Sequence, residues 1–317
     1  MNNPVKLAID VESGDHGPQV IIAGIQEARR LSSVPFTAYL CGNFRRIDAV
    51  ISELGCRDAL GNYEIVECSD FVDPGEKRAS VWKYQADAPI IRCVRLQKDG
   101  VVDASVSAGD TAILLGAALF ILGRSEGALR PALAAFLPTV RKKPVLLLDV
   151  GANLSCRADH LVSFAIMGST YVKRFLGLAA PRVALLSIGK EAVKGTKTIS
   201  EADAHLKESA IGYAGFIEGN DILAGEYDVV VCDGFCGNVL LKAFESFYKL
   251  AESIGGKSSG NGHFRENFLV LDPEIYGAVP FLGINGTVLK AHGSSSSRAI
   301  AFALMASINA VRKSALQ

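Results

Sequence analysis

Repeatedly in this chain a short apolar run stops at a glycine-bearing turn and gives way to a segment of helical periodicity. Lys6-Leu7-Ala8-Ile9-Asp10 leads to Gly14-Asp15-His16-Gly17-Pro18, and Val101-Val102-Asp103-Ala104-Ser105-Val106 leads to Ser107-Ala108-Gly109-Asp110-Thr111. Asp228-Val229-Val230-Val231-Cys232 leads to Asp233-Gly234-Phe235, and Leu289-Lys290-Ala291 to His292-Gly293-Ser294-Ser295. A strand that is apolar on both faces must be covered on both, as parallel strands flanked by helices are. The alternation therefore predicts an α/β fold with a doubly wound, mostly parallel sheet. In such a sheet the turns gather at one crevice, outside the carboxyl ends of the strands.

The strand pattern falls on 5–10, 36–41, 63–68, 102–107, 145–150, 182–188, 228–232 and 286–290. Helical periodicity falls on 18–31, 44–54, 89–97, 110–122, 157–176, 200–211, 237–254 and 294–311. Hydrophobic residues make up 49 % of the chain, enough for one α/β domain over 1–317. Around 239–268 an amphipathic helix runs into Gly255-Gly256-Lys257-Ser258-Ser259-Gly260-Asn261-Gly262, a stretch with no apolar side chain to bury. We expect a protruding helix-loop element there.

Lys+Arg and Asp+Glu both total 33, so no net charge draws the chain to nucleic acid. No leader pattern opens the sequence, and no run approaches the ~20 apolar residues of a membrane span. The expected compartment is the cytoplasm. The seven cysteines are scattered through apolar segments, read here as buried free thiols. Their spacing suits no structural zinc site.

The turns can hold an anion, because a helix N-terminus presents backbone N–H groups and a positive dipole end. On that reading Gly14, Asp15, Ser107, Gly109, Asp110, Thr111, Gly234, Asn238, Gly293 and Ser294 are the candidate phosphate- and substrate-binding residues. His16 and His292 would add donors. Asp10-Val11-Glu12-Ser13-Gly14-Asp15-His16 could instead bind a divalent metal, or be turn chemistry with Asp15 as a cap and Gly14 at positive φ. Asn153, just past a strand, either tolerates a left-handed turn or points its amide into the crevice. Lys194 lies in a loop of lysines and glycines, Gly189-Lys190-Glu191-Ala192-Val193-Lys194-Gly195, which reads as a phosphate clamp or as an exposed loop. Asp233 caps a helix or orients a substrate group. Cys236 beside it has no base visible in the sequence. No GxGxxG follows the first strand, and neither GxxxxGK[ST] nor GxSxG occurs.

Further stretches join these turns: Arg130-Pro131-Ala132-Leu133-Ala134, Leu148-Asp149-Val150-Gly151-Ala152-Asn153, Phe164-Ala165-Ile166-Met167-Gly168-Ser169, Cys236-Gly237-Asn238-Val239 and Leu282-Gly283-Ile284-Asn285-Gly286. In this order, and nearly end to end, the chain resembles the acyl-ACP:phosphate acyltransferases of bacterial phospholipid synthesis. The resemblance implies a Rossmann-like α/β/α sandwich of the isopropylmalate dehydrogenase and phosphotransacetylase type. It implies a homodimer, no metal and no organic cofactor. It implies transfer of a fatty acyl group from acyl carrier protein to inorganic phosphate, with the acyl-phosphate passed on for phospholipid synthesis. The protruding element is linked in that family to membrane contact; few basic residues mark it here, so contact at the inner face is expected to be weak. Lys194, Asp233, His292, His16 and Asn153 then become the candidate catalytic groups.

The chain departs from the family in places. It reads Asp10-Val11-Glu12-Ser13-Gly14-Asp15 for Asp-Ala-Met-Gly-Gly-Asp, and Asp110-Thr111-Ala112 for Asn-Thr-Gly. The competing readings are a short-chain phosphotransacylase using coenzyme A, a dehydrogenase on the same fold, and a non-catalytic homologue that binds acyl carrier protein or acyl-phosphate.

Overall fold

The computed structural model describes residues 3–73, 75, 79–191, 194–255 and 278–314. The chain divides into two compact units, Met1–Glu126 with Tyr276–Gln317, and Gly127–Ile275. The first unit opens with β1 (Val5–Asp10), α1 (Gly17–Leu31), β2 (Phe36–Gly42), α2 (Phe44–Glu53), β3 (Tyr63–Glu67), α3 (Pro89–Lys98), β4 (Ala104–Ser107) and α4 (Thr111–Ala117). The second holds β5 (Ala132–Leu137), β6 (Val145–Leu148), α5 (Ala158–Leu176), β7 (Val183–Leu186), α6 (Lys197–Lys207), β8 (Tyr213–Ile217), β9 (Val229–Val231) and α7 (Gly234–Gly255). The chain then returns to the first unit as β10 (Ala278–Leu282), β11 (Thr287–Ala291) and α8 (Ser297–Ser314).

In the first unit the strands lie in the order β3-β2-β1-β4-β11-β10. They are parallel except β10, which runs antiparallel to β11. The chain winds outward from β1 to β3, then places β4 on the other side of β1. The carboxyl ends of β1 and β4 thus flank a topological switch point, where open α/β sheets bind ligands. Along β1, Leu7 and Ile9 join a core with Ile22 and Ile25 of α1, Ile47 and Ile51 of α2, and Ile300 and Leu304 of α8. Ala8 faces the opposite way, into Tyr39, Cys41 and the α3 residues Cys93 and Leu96. That alternation is the period of a strand, and it puts helices on both faces. Each fully buried Ile or Leu contributes about 1.5–3 kcal/mol. A Cβ at Gly24 would fall 2.6 Å from Ile300, so α1 and α8 meet where α1 has no side chain.

The second unit orders its strands β5-β6-β9-β7-β8, parallel except β5 against β6. Helix α5 crosses this sheet through Gly168, where a Cβ would come within 2.7 Å of Val229. Both units therefore have the mostly parallel sheet that the sequence predicts.

Three strands are additions to that expectation. β5 is alanine-rich, β8 carries Gly215, and β10 carries Pro280, which has no N–H to give a ladder. Helix α8 begins at Ser297, three residues later than its periodicity suggests. The Ser296 hydroxyl accepts the Ala299 N–H, the bond of an N-cap, so the helix starts just after this serine. Helix α4 stops at Ala117 and continues as a π turn to Leu122. Five of the cysteines are buried free thiols as expected, whereas Cys156 is half-buried and Cys236 exposed. Of the element expected around 239–268, α7 covers the part up to Gly255; the rest, like most of the glycine-serine stretch, lies outside the described residues.

Candidate active site

The first unit stitches its strand ends together with one buried carboxylate. Asp10, the last residue of β1, is 1 % exposed. One oxygen accepts the N–H groups of Glu12 and Ser13 at 3.2 and 3.1 Å, and the other accepts the Ser107 hydroxyl at 2.6 Å. Burial pushes its carboxyl up; the bonds from Ser107 and Ser13 oppose that. Ser107, ending β4, accepts the Gly109 N–H at 3.0 Å. Its hydroxyl is thus committed to shaping the turn.

Above this pair, Gly14 takes φ +101°, and a Cβ there would lie 3.2 Å from both Ala108 Cβ and the Gly293 carbonyl. The Asp15 N–H donates to that carbonyl at 2.8 Å. Three turns distant in sequence are thereby held in contact. They border a small recess of about 10 Å³, room for one water, lined by Gly14, His16 and Gly17, Ala108, and Gly293 and Ser295, with Ile21 and Ile300 at its base. The His292 Nδ1 accepts the Ser294 N–H at 3.2 Å and lies 2.8 Å from the Ser294 hydroxyl. A neutral ring so bonded carries its proton on Nε2 and can donate from there. Gly14→Ala combines a left-handed backbone with close contacts on two sides. It should lower stability by about 1–3 kcal/mol in urea unfolding. A loss below about 0.5 kcal/mol would show that the three turns do not depend on this glycine.

Not all the glycine turns offer a bare helix end. Asp110 caps α4 with its own carboxylate, accepting from Ala112 and Ile113 at 2.8 and 3.0 Å. Asp233 takes the Cys236 N–H at 2.8 Å at the start of α7. An anion at either end would meet a carboxylate already in place. Helix α1 differs: no side chain caps it, and His16 and Gly17 at its start line the recess. The carboxylate at 110 is thus turned onto its helix. Asp15 is no helix cap; its side chain stands over Gly293, 3.3 Å from where a Cβ would be.

In the second unit Asp149, fully buried, follows β6. It accepts the N–H groups of Leu133, Gly151 and Ala152 on one oxygen at 3.0–3.1 Å. The other takes the Asn153 N–H at 2.6 Å and its amide at 2.9 Å. That amide also donates to the Pro131 carbonyl at 2.8 Å, so both its hydrogens act within the loop. The Gly234 N–H donates to the Asn153 carbonyl at 2.8 Å, and Asn238 donates to Val150 at 3.2 Å. Asn153, Asp233, Gly234 and Asn238 are therefore brought together. Lys194 is half-exposed and paired with Glu191 at 2.9 Å. Cys236 is no ready nucleophile, since desolvation and Asp233 both raise its thiol pKa.

Asp149 and Lys290 are not among the candidate residues read from the sequence, and Asp10 enters there only within a stretch that could bind a metal. A signal was present: Asp10-Val11 and Asp149-Val150 both close apolar runs, and Lys290 interrupts one.

A model of the family described as fatty acid synthesis protein matches residues 5–317. The chain is 38 % identical over 314 residues to a phosphate acyltransferase of Desulforamulus reducens, covering 95 % of this chain and 92 % of that one. Among solved structures it is similar to a phosphotransacetylase from Streptococcus pyogenes, with a TM-score of 0.66 at 18 % identity over 98 % of this chain and 94 % of that one. A branched-chain phosphotransacylase from Enterococcus faecalis gives 0.65 at 16 % identity, over 97 % and 99 %. At such identities the structural likeness speaks for the fold.

Proposed function

Because the chain belongs to the phosphate acyltransferase family, we propose that it transfers a fatty acyl group from acyl carrier protein to inorganic phosphate. It is an acyltransferase. The match over nearly the whole chain carries this reading, and the uncapped start of α1 supports an anion at the mouth of the recess. A phosphate oxygen attacks the thioester carbonyl carbon. The tetrahedral oxyanion then collapses, the C–S bond breaks, and the thiolate leaves to be protonated. Phosphate is already a nucleophilic anion at neutral pH, so the protein must orient it and stabilise the oxyanion. His16 and His292 are the proposed donors in the first unit, with Gly14, Gly17 and Gly293 letting the anion approach the backbone. Lys194, Asp233 and Asn153 remain proposed for the second unit, Asn153 through the loop it holds. Mass spectrometry after incubation with acyl-ACP and phosphate should find acyl-phosphate and free carrier thiol. Product from acyl-CoA alone would favour a coenzyme A-dependent phosphotransacylase, and no product from either would favour a binding homologue.

Lys194→Ala should cut turnover at least about tenfold, as loss of a charge-assisted contact would, and leave the melting temperature within a few degrees. Near wild-type turnover would return Lys194 to its pair with Glu191.

We further propose a homodimer held partly by α7, working in the cytoplasm with at most weak contact at the inner face of the membrane. Phe235, Val239 and Phe247 recur at multiples of four on one side of α7, and with Leu250 all are more than half exposed. Side chains this large at helical spacing need a cover, and a second copy is the proposed one. Among the described residues no helix is long and apolar enough to cross a membrane. Phe247→Glu with Leu250→Glu should shift the protein toward monomer in sedimentation. A double variant that stays dimeric but stops pelleting with liposomes would give this face to the membrane instead.

A further inference from the structure

Lys290 is a lysine where an aliphatic residue would be expected. It lies on β11 between Leu289 and Ala291, and is itself only 8 % exposed. It sits opposite Ser107 in the parallel pairing of β11 with β4. Burying an ammonium is costly, and a medium-sized apolar side chain would fill such a place without that cost.

The ammonium donates to two main-chain carbonyls, that of Ala108 at 3.5 Å and that of Ala291. Ala108 follows the last residue of β4 and lines the recess beside Gly14. Ala291 ends β11 and leads directly into His292 and Gly293. Lys290 thus joins two adjacent strands at the points where each hands over to a recess turn. Three carboxylates near the recess work against an anion. Asp10 lies beneath the turns, Asp15 stands over Gly293, and Asp110 caps α4. Strand carbonyls at this end also present negative dipoles. An ammonium that occupies two of those oxygens removes part of that repulsion and adds positive charge one peptide behind the recess wall.

We propose that Lys290 is a positioning residue for inorganic phosphate, fixing the Ala108 and Ala291 ends of the recess and supplying its countercharge from behind Ala108. This rests on the phosphate reading of the recess given above. The test uses the full chain and inorganic phosphate, read by phosphate saturation kinetics and by titration calorimetry. Lys290→Gln keeps a donor for the carbonyls without the charge, Lys290→Met keeps neither, and Lys290→Arg keeps both. Gln and Met should raise the phosphate KM and Kd about tenfold or more, with the acyl-ACP KM within about twofold, while Arg stays within about threefold of wild type. Equal loss toward both substrates, or no change in the phosphate Kd, would overturn the proposal. Should Gln and Met fail to fold, the wild type decides. Its Lys290 15Nζ resonance, assigned by its loss in Lys290→Arg, should move on phosphate titration with the same Kd, and a resonance that stays still overturns the proposal. Absence of phosphate binding and turnover in the wild type would instead sink the phosphate reading itself.

Discussion

Gly237→Ala is expected to disrupt the second unit. A Cβ at 237 would fall 1.9 Å from the Asp149 carbonyl oxygen and 3.0 Å from the Cys232 sulfur. The nearer atom is backbone at the end of β6, in the loop that Asp149 itself holds by several N–H bonds, so it has little room to yield. Relief requires α7 to move off the sheet or the loop to give up those bonds. Either change breaks packing and hydrogen bonding together, at a cost of about 4 kcal/mol or more. Gly219→Ala is the control, because a Cβ there meets nothing within 4 Å and its φ is ordinary. Urea unfolding should leave Gly219→Ala near wild type and find Gly237→Ala largely unfolded or insoluble. Equal midpoints for the two variants would mean that α7 does not approach β6 this closely.

What the sequence reveals of the fold follows from where each signal is written. β1, β2, β6 and β9 are legible because strands buried on both faces are apolar at nearly every position. β10 is not, because Pro280 argues against a strand while the neighbouring β11 supplies the pairing. β5 reads as helix-prone alanine, and only its ladder with β6 makes it a strand. Local composition cannot state a partner that lies elsewhere in the chain.

The site divides in the same way. Gly14, His16 and Gly293 announce themselves as turn residues, and the fold does bring them to one recess. The capping by Asp110 was legible in principle, since aspartate just ahead of a helix start is a strong cap signal. Reading Asp110 as a phosphate-binding residue missed it. Asp10 and Asp149 were harder. Each is the first polar residue after an apolar run and so reads as the end of a strand. Its importance depends on donors far off in sequence, Ser107 for Asp10 and Leu133 for Asp149. Lys290 is missed for the converse reason, as one charge inside an otherwise apolar strand looks like a tolerated exception.

The largest effect expected from a single polar side chain is at Asp149. Its two oxygens accept four backbone N–H groups and one side-chain amide, and the residue is fully buried. Burial raises its carboxyl pKa, while the bonds from Ala152, Asn153 and Leu133 pull the other way. Asp149→Ala removes every acceptor at once. A buried donor left without a partner costs about 1–3 kcal/mol, and water entering the gap recovers part of it, so a loss of about 4 kcal/mol is expected. Asp149→Asn tests the explanation more sharply. It preserves shape and size but replaces one acceptor oxygen with an NH2 group. Both oxygens of Asp149 face donors, so either orientation of the amide sets donor against donor. The substitution that looks conservative should therefore cost about 2–4 kcal/mol, close to the alanine loss, instead of the few tenths expected if only packing mattered. Urea unfolding of both variants at neutral pH reads this directly. An asparagine variant within about 0.5 kcal/mol of wild type would show that the carboxylate does not organise the loop from Gly151 to Asn153. The proposed role of Asn153 would then need another support.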